Sequence, residues 1–548
     1  MPARKGQGQW ALGYREPLNA NERAKRDDDG LAVRQRIEDI YQHTGFAGID
    51  PADLRGRFRW YGLYTQRRPG IPGGKTATLE PVELEDELFM LRIRVDGGAL
   101  TSEQLRVVAD TATTYGRDLA DVTDRQNVQL HWIRIEDVPA IWRSLEAVGL
   151  STTEACGDTP RVMLGCPLEG VAVDSVLDAS AALRETVDAH IGDPAFSNLP
   201  RKFKTSISGC GRHCTNHEIN DVSFVGVLGP DGAPGFDLWV GGGLSTNPMM
   251  AKRLGAFVRP DQVSEVWAGV VSVFRDYGYR RSRNHARLKF LIADWGVERF
   301  RQVLQTEYLH APLPDGPPPP ATPAHRDHTG VEAQADGRVS VGATTRSGRT
   351  SGSALRAVAD LAEQFGSGRV RLTAQQGVVV LDVARARAAA LADRLETLGL
   401  AVRPTPFRRG TIACTGIEFC KLALVETKAR AETIVAELER RLPGFDTPIT
   451  INVNGCPTSC ARFQVADIGF KGMITSDADG VDHEAFQVHL GGQLGTDAEF
   501  GRKFRGLRVT GDEAPEYAER VLRGYLARRT GGETFAAYVS RADEEWLT

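Results

Sequence analysis

The chain repeats itself, and that repeat limits the folds open to it more than any other feature. Leu105-Arg106 leads to Ala109-Asp110 and then Tyr115-Gly116; Leu355-Arg356 leads to Ala359-Asp360 and then Phe365-Gly366. Each pair of positions is offset by 250 residues. In both copies Leu, Val and Ala recur at helical spacing and the run stops at Gly, which predicts an amphipathic helix. A strand is predicted after each, through Thr123-Asp-Arg-Gln126-Asn-Val128 and Thr373-Ala-Gln-Gln376-Gly-Val378, in unchanged register. Further on, Ile207-Ser-Gly-Cys210-Gly-Arg-His-Cys214 echoes Val453-Asn-Gly-Cys456-Pro-Thr-Ser-Cys460. An aspartate, Asp221 or Asp467, lies 11 positions past the first cysteine of each, and Gly241-Gly242 answers Gly491-Gly492. Several motifs in one order point to a duplicated α+β unit.

The join lies in Pro312 to Gly330, which contains four consecutive prolines, Pro317 to Pro320, and reads as an extended, semi-rigid linker. The expected organisation is an N-terminal arm and wrap (1–80), a first strand–helix–strand half-domain (81–150) and a first larger domain (151–311). The linker (312–330), a second half-domain (331–403) and a second larger domain (404–548) complete it.

The chain has 8 cysteines and no apolar stretch near Arg4, Lys5 and Arg15 that resembles an export signal. A cytoplasmic chain is expected, where disulfides are rare and thiols bind metal or catalyse. A net charge of -4 gives no global pull toward nucleic acid, and no apolar run is long enough to span a bilayer.

Cys414 and Cys420 are six apart, and Cys456 and Cys460 four apart. Four soft thiolates on two loops suit a cubane iron–sulfur cluster. The five residues between Cys414 and Cys420 exceed the usual zinc knuckle. Gly410, Gly416 and Gly455 are expected to let the backbone approach the cluster. In the first half Cys166, Cys210 and Cys214 stand at equivalent places, but nothing corresponds to Cys420. These three are read as remnants packed like small hydrophobes, with no metal. Cys156 matches no cysteine of the other half. It is read as a packed thiol, with a place near the active centre beside Tyr64 as the alternative.

Cys414-Thr-Gly-Ile-Glu-Phe-Cys420 with Asn454-Gly-Cys456-Pro-Thr-Ser-Cys460 resembles the signature of the sirohaem sulfite and nitrite reductases. Leu199-Pro-Arg-Lys-Phe-Lys204, Thr123 to His131 and Phe89 to Arg94 resemble that family too, and Trp60 to Arg67 suggests its ferredoxin-dependent branch. The resemblance implies an α+β, internally duplicated architecture of ferredoxin-like half-domains and larger mixed α/β haem-binding domains. It implies one sirohaem and one [4Fe–4S] cluster on Cys414, Cys420, Cys456 and Cys460, with Cys460 bridging the two. It assigns Arg92, Arg161, Lys202 and Lys204 to a cationic catalytic cage, and Arg125, Gln129, His131 and Arg201 to sirohaem carboxylates. Taken singly, these residues have ordinary readings: Lys202 and Lys204 as solvated residues, Arg92 and Arg94 as the polar side of a half-exposed strand, His131 as a core histidine.

The activity implied is six-electron reduction of sulfite to sulfide with electrons from reduced ferredoxin, by a monomeric enzyme. Lys204 favours sulfite, because nitrite reductases of the family tend to carry Asn there. Reduction of nitrite to ammonia is the alternative. An iron–sulfur electron carrier and a zinc-stabilised binding protein are the non-enzymatic rivals, and neither needs the cationic cage. No Gly-rich dinucleotide fingerprint is present, so the donor is expected to be a separate acidic protein. Arg67, Arg68, Arg280, Arg281 and Arg283 are candidates for its docking patch.

Overall fold

A computed structural model describes residues 18–321 and 326–548, so Arg4, Lys5 and Arg15 lie outside the described residues. The N-terminal segment contributes β1 (Leu63–Arg67), and the first half-domain β2 (Glu85–Ile93), β3 (Ala99–Thr101), β4 (Leu119–Val122) and β5 (Val128–Ile133). The first larger domain follows with β6 (Thr205–Ser208), β7 (Val222–Leu228), β8 (Pro234–Val240) and β9 (Lys252–Val258). The second half-domain holds β10 (Gly330–Ala333), β11 (Val339–Thr344), β12 (Arg349–Ser351), β13 (Arg369–Leu372) and β14 (Gly377–Val383). The second larger domain holds β15 (Thr411–Ala413), β16 (Ile451–Asn454), β17 (Ile468–Ser476), β18 (Asp482–Leu490) and β19 (Arg502–Thr510).

Two of the sheets exchange strands. Their orders are β1-β2-β5-β4-β12 and β10-β11-β14-β13-β3. β12 runs antiparallel to β4 with Arg349 opposite Asp121, and β3 runs antiparallel to β13 with Thr101 opposite Arg369. Each three-residue strand thus leaves its own half and closes the edge of the other, which removes two exposed sheet edges. The helices that follow, Ser102–Tyr115 and Gly352–Phe365, pack on one another. A Cβ on Gly352 would stand 2.8 Å from the Ala109 carbonyl oxygen, so glycine lets the helices meet this closely. One apolar core runs through both halves, from Leu105, Val108 and Leu130 to Leu355, Val358 and Val380.

The N-terminal segment joins the same core through Val33, Ile37 and Phe58. Lys25 Nζ donates to the Leu199 carbonyl at 2.7 Å and Trp60 Nε1 to that of Ser197 at 2.8 Å, so it wraps onto the first larger domain. The start of the proline-rich segment is docked rather than free: the Phe257 N–H donates to the Pro314 carbonyl at 2.8 Å.

The larger domains contain the sheets β6-β7-β8-β9 and β15-β16-β17-β18-β19. β6 and β7 are parallel, as are β15, β16 and β17, and later neighbours are antiparallel. The duplicated aspartates do the same work in each. Asp221 accepts from the Lys204 N–H at 2.7 Å, and Asp467 accepts from the Thr450 N–H at 2.8 Å.

Period-two alternation sets the stage for the site. Leu91, Ile93, Val128 and Leu130 face the shared core. Arg92 lies opposite Gln129, and Gln129 opposite Asp121, on the other face of that sheet.

Candidate active site

Cys414 follows β15 directly, and Cys456 and Cys460 follow the neighbouring parallel strand β16. The carboxyl ends of adjacent strands therefore deliver three of the four thiols, and the loop from Cys414 returns Cys420. Gln376, in the left-handed region at φ 61, clamps the strand before Cys414. Its Nε2 donates to the Ala413 carbonyl at 2.9 Å and its Oε1 accepts from the Ala413 N–H at 3.1 Å. The Gly455 N–H donates to Cys414 Sγ at 3.2 Å. Gly410 has a different role from the one expected: a Cβ there would collide with the Ile449 carbonyl, so it serves the approach of β15 to the chain entering β16.

Cys414, Cys420 and Cys460 each feel the charge of other thiols in the group. Burial, then the other thiols, pushes Cys414 far up and Cys420 up to about 12. Cys460 is raised as well, by desolvation among its protein neighbours and against the pull of Lys202, even though its surface remains open to solvent. Four thiolates brought together in this way need a cationic centre among them, which iron supplies. Cys460 is the one cysteine of the chain that is exposed. It looks toward the cations expected to form the cage.

Those cations converge. Arg92 contacts Cys156 Sγ and donates to Gln129 Oε1 at 2.6 Å, while Gln129 Nε2 donates to Thr415 Oγ1 at 3.2 Å, beside Cys414. Arg161 is folded back on the Gly157 carbonyl at 2.7 Å. Lys202 and Lys204 are half-buried on the chain leading into β6. Burial and then Lys204 drive Lys202 well below an ordinary lysine; burial and then Arg125 bring Lys204 down to about 7. A lysine near 7 can hold and release a proton at neutral pH.

A ligand with several carboxylates fits beside them. Arg125 donates to Asn220 Oδ1 at 2.9 Å and to the Val162 carbonyl at 2.6 Å, yet its buried Nε has no partner. The Nε of Arg462 makes no hydrogen bond either, though Asp124 lies 3.8 Å from it. An unpaired buried donor is costly, and an anionic cofactor would satisfy that of Arg125. Arg201 keeps 35% of its side chain exposed and lies 3.8 Å from Asp158.

His131 is placed differently. It is wholly buried, with Nε2 3.1 Å from Asp121 and its ring stacked 3.8 Å from that of Phe419. Arg94 is also apart from the cage: it is bound to Asp96 at 2.6 Å and to the Pro160 carbonyl at 3.2 Å. Of the five arginines expected in the docking patch, Arg68 and Arg281 are exposed, whereas the other three are engaged within the fold. Arg67 is buried against the carbonyls of Ile71, Pro72 and Ala423, and Arg280 is buried against Glu22. Arg283 is a bidentate partner of Asp158.

Two residues of the site escape a reading of the sequence. Arg287 grips Asp221 at 2.7 Å and adds its charge to both Lys202 and Lys204. Arg462 takes the place that Asn216 holds in the first repeat, and both are left-handed, at φ 58 and 53. A gain of charge between repeats is the one signal that could have marked it.

The family model described as Nitrite and sulphite reductase 4Fe-4S domain matches residues 156–313 and 405–548, and that described as Nitrite/Sulfite reductase ferredoxin-like half domain matches 82–148 and 332–398. The chain belongs to the nitrite and sulphite reductase family. Like the family, it has duplicated ferredoxin-like half-domains, and the family's cofactors are a sirohaem and a [4Fe–4S] cluster. Among its relatives, a Mycobacterium tuberculosis protein named sulfite reductase [ferredoxin] is 55% identical over 99% of this chain and 98% of its own. An assimilatory ferredoxin-dependent nitrite reductase of Haloferax mediterranei is 35% identical over 94% of this chain and 91% of its own. The solved structure of the Mycobacterium tuberculosis NirA protein superposes with a TM-score of 0.97 at 55% identity, covering 99% of this chain and 100% of that one.

Proposed function

We propose that the chain is a ferredoxin-dependent sulfite reductase that reduces sulfite to sulfide with six electrons. The observation that carries this reading is the hydrogen-bonded chain from Arg92 through Gln129 to Thr415, the residue after Cys414. It ties the cationic cage to the loop of the four cysteines, so an electron-transfer centre and an anion-binding pocket meet there. The 55% identity to a protein named sulfite reductase [ferredoxin] supports sulfite over nitrite.

The sirohaem and cluster, when bound, supply the electrons and the iron that holds the substrate. The protein supplies the rest. Arg92 and Arg161 bind the oxyanion and stabilise its charge, since guanidinium groups do not give up protons at neutral pH. Lys202 and Lys204 deliver protons to the oxygens that leave as water. Arg125, Gln129, Arg201 and Arg462 take the sirohaem carboxylates. His131 is assigned instead to positioning: stacked on Phe419, it steadies the loop that carries Cys420. Reduced ferredoxin is the donor, in the cytoplasm. No helix among the described residues is long and apolar enough to cross a membrane.

The test is an absorption spectrum followed by turnover with reduced ferredoxin, measuring sulfide from sulfite and ammonia from nitrite. Sirohaem bands and a higher kcat/KM for sulfite are expected. A cluster shoulder without sirohaem would make the chain an electron carrier, and a higher kcat/KM for nitrite would make it a nitrite reductase, the reading that the Haloferax relative favours.

A further inference from the structure

We propose that the first half carries a tetrahedral zinc site of its own, formed by Cys166, Cys210, Cys214 and His328. The expectation that these cysteines lack a fourth partner is corrected by the fold. The chain beyond the prolines returns and inserts His328 among them, so the three sulfurs and one ring nitrogen all lie within 4.8 Å of one another. Among the described residues this is the one such group. His328 Nε2 is 3.3 Å from Cys166 Sγ and 3.7 Å from Cys210 Sγ. Ligands of a tetrahedral zinc, with bonds of about 2.3 Å to sulfur and about 2.0 Å to nitrogen, stand about 3.5–3.8 Å apart. The group needs little movement to close on one ion.

The surroundings are those of a ligand shell rather than of packed thiols. All four side chains are buried, none more than 2% exposed. The far nitrogen of His328, Nδ1, lies 3.1 Å from Glu332 Oε2, and Arg212 holds the other oxygen of Glu332 at 2.8 Å. A carboxylate behind the imidazole fixes its orientation and strengthens it as a ligand. The N–H groups of Leu168 and Arg212 donate to Cys166 Sγ at 3.3 Å and Cys210 Sγ at 3.4 Å, which offsets thiolate charge.

The metal follows from the donors. Three thiolates and an imidazole, closed and buried with no open position, are a structural zinc set. A second cubane does not fit, because its thiolates reach separate iron corners and spread apart. The four second-half sulfurs, Cys414, Cys420, Cys456 and Cys460, do not draw within the 4.8 Å limit as a set. Duplication thus left one loop framework with two uses: cluster in the second half, single ion in the first. The ion would pin the start of β10 to the Cys210–Cys214 loop, against Val379 and Leu381 of β14, closing a long stretch of chain. This site shares no ligand with the redox centre and does not depend on the activity assigned to it.

Holoenzyme purified without chelators should contain one zinc per chain beside its cofactor iron, measured by inductively coupled plasma mass spectrometry. Zinc-edge X-ray absorption should show three sulfurs and one nitrogen. Cys210→Ser should lose the zinc while sirohaem and cluster absorption persist. Glu332→Gln, which keeps all four ligands, should hold zinc about tenfold less tightly against a chelator. If Cys210→Ser fails to fold, the wild-type zinc count and edge still decide. Absence of stoichiometric zinc, a mononuclear iron in its place, or a zinc shell without sulfur would each overturn the proposal.

Discussion

At the scale of single residues, Lys204 carries the choice of substrate. Sulfite brings more negative charge than nitrite, and the Coulomb term scales with the product of charges. Lys204→Asn is therefore expected to lower kcat/KM for sulfite about tenfold or more, and for nitrite less, with both cofactors retained. Equal losses would reduce Lys204 to a general binding group. Its pKa of about 7 adds a pH signature. The ammonium is charged below that value and lost as pH rises through it, so sulfite turnover should fall on the alkaline side, and the Asn variant should lack that limb. Cys460→Ser tests the junction: with the exposed thiol gone, turnover should vanish and the sirohaem bands should weaken or shift. Normal activity and sirohaem content in that variant would remove Cys460 from the bridge. Much of this site was legible in the sequence because its residues stand in short ordered motifs, such as the lysine pair two apart. Period-two alternation in the sequence puts Arg92, in β2, and Arg94, one residue past its end, on one face, so spacing alone cannot choose between them. Only the fold shows Arg94 occupied by Asp96 and by backbone carbonyls.

At the scale of elements, the two left-handed glutamines are the joints between half-domain and cofactor domain. Gln126 donates to the Gly165 carbonyl at 2.9 Å and accepts from the Gly165 N–H at 3.1 Å, as Gln376 does with Ala413. Each side chain acts as one more rung on the strand or loop that ends in a cysteine, Cys166 or Cys414. Gln376→Ala leaves a buried N–H and C=O of Ala413 unpaired, at about 1–3 kcal/mol for each group. We expect a lowered Tm and a deficit of iron and acid-labile sulfide, since β15 is freed just before a cluster ligand. An unchanged iron content would show that β15 is held by β16 alone. The sequence made the matching glutamines visible, in unchanged register, but not their partners, which lie more than 30 residues away. His328 was invisible for a related reason. It follows a proline run with no periodicity, and its spacing from Cys214 matches no knuckle.

At the scale of the whole molecule, duplication did not produce two independent halves. β3 and β12 are three residues long, too short to carry a readable pattern, and their partners lie in the opposite half. The sequence therefore announced a repeat but not the exchange. The exchange has an energetic consequence. Removing either half strips an edge strand from the other sheet and exposes one side of the core that joins Leu105, Val108 and Ala109 to Leu355, Val358 and Ala359. Apolar area returned to water costs about 25 cal/mol per Å², and a bare sheet edge invites pairing with another chain. Full-length protein should therefore lose both half-domains in one cooperative transition, followed by circular dichroism. A chain ending at residue 320 should not give a folded monomer: size-exclusion chromatography should find aggregates or exchanged dimers. Its co-expression with residues 321–548 should restore a one-to-one complex, because the complementary strands and helix faces are then both present. A monomeric, cooperatively folding 1–320 fragment would show that the exchanged strands are dispensable and that each half closes its own core.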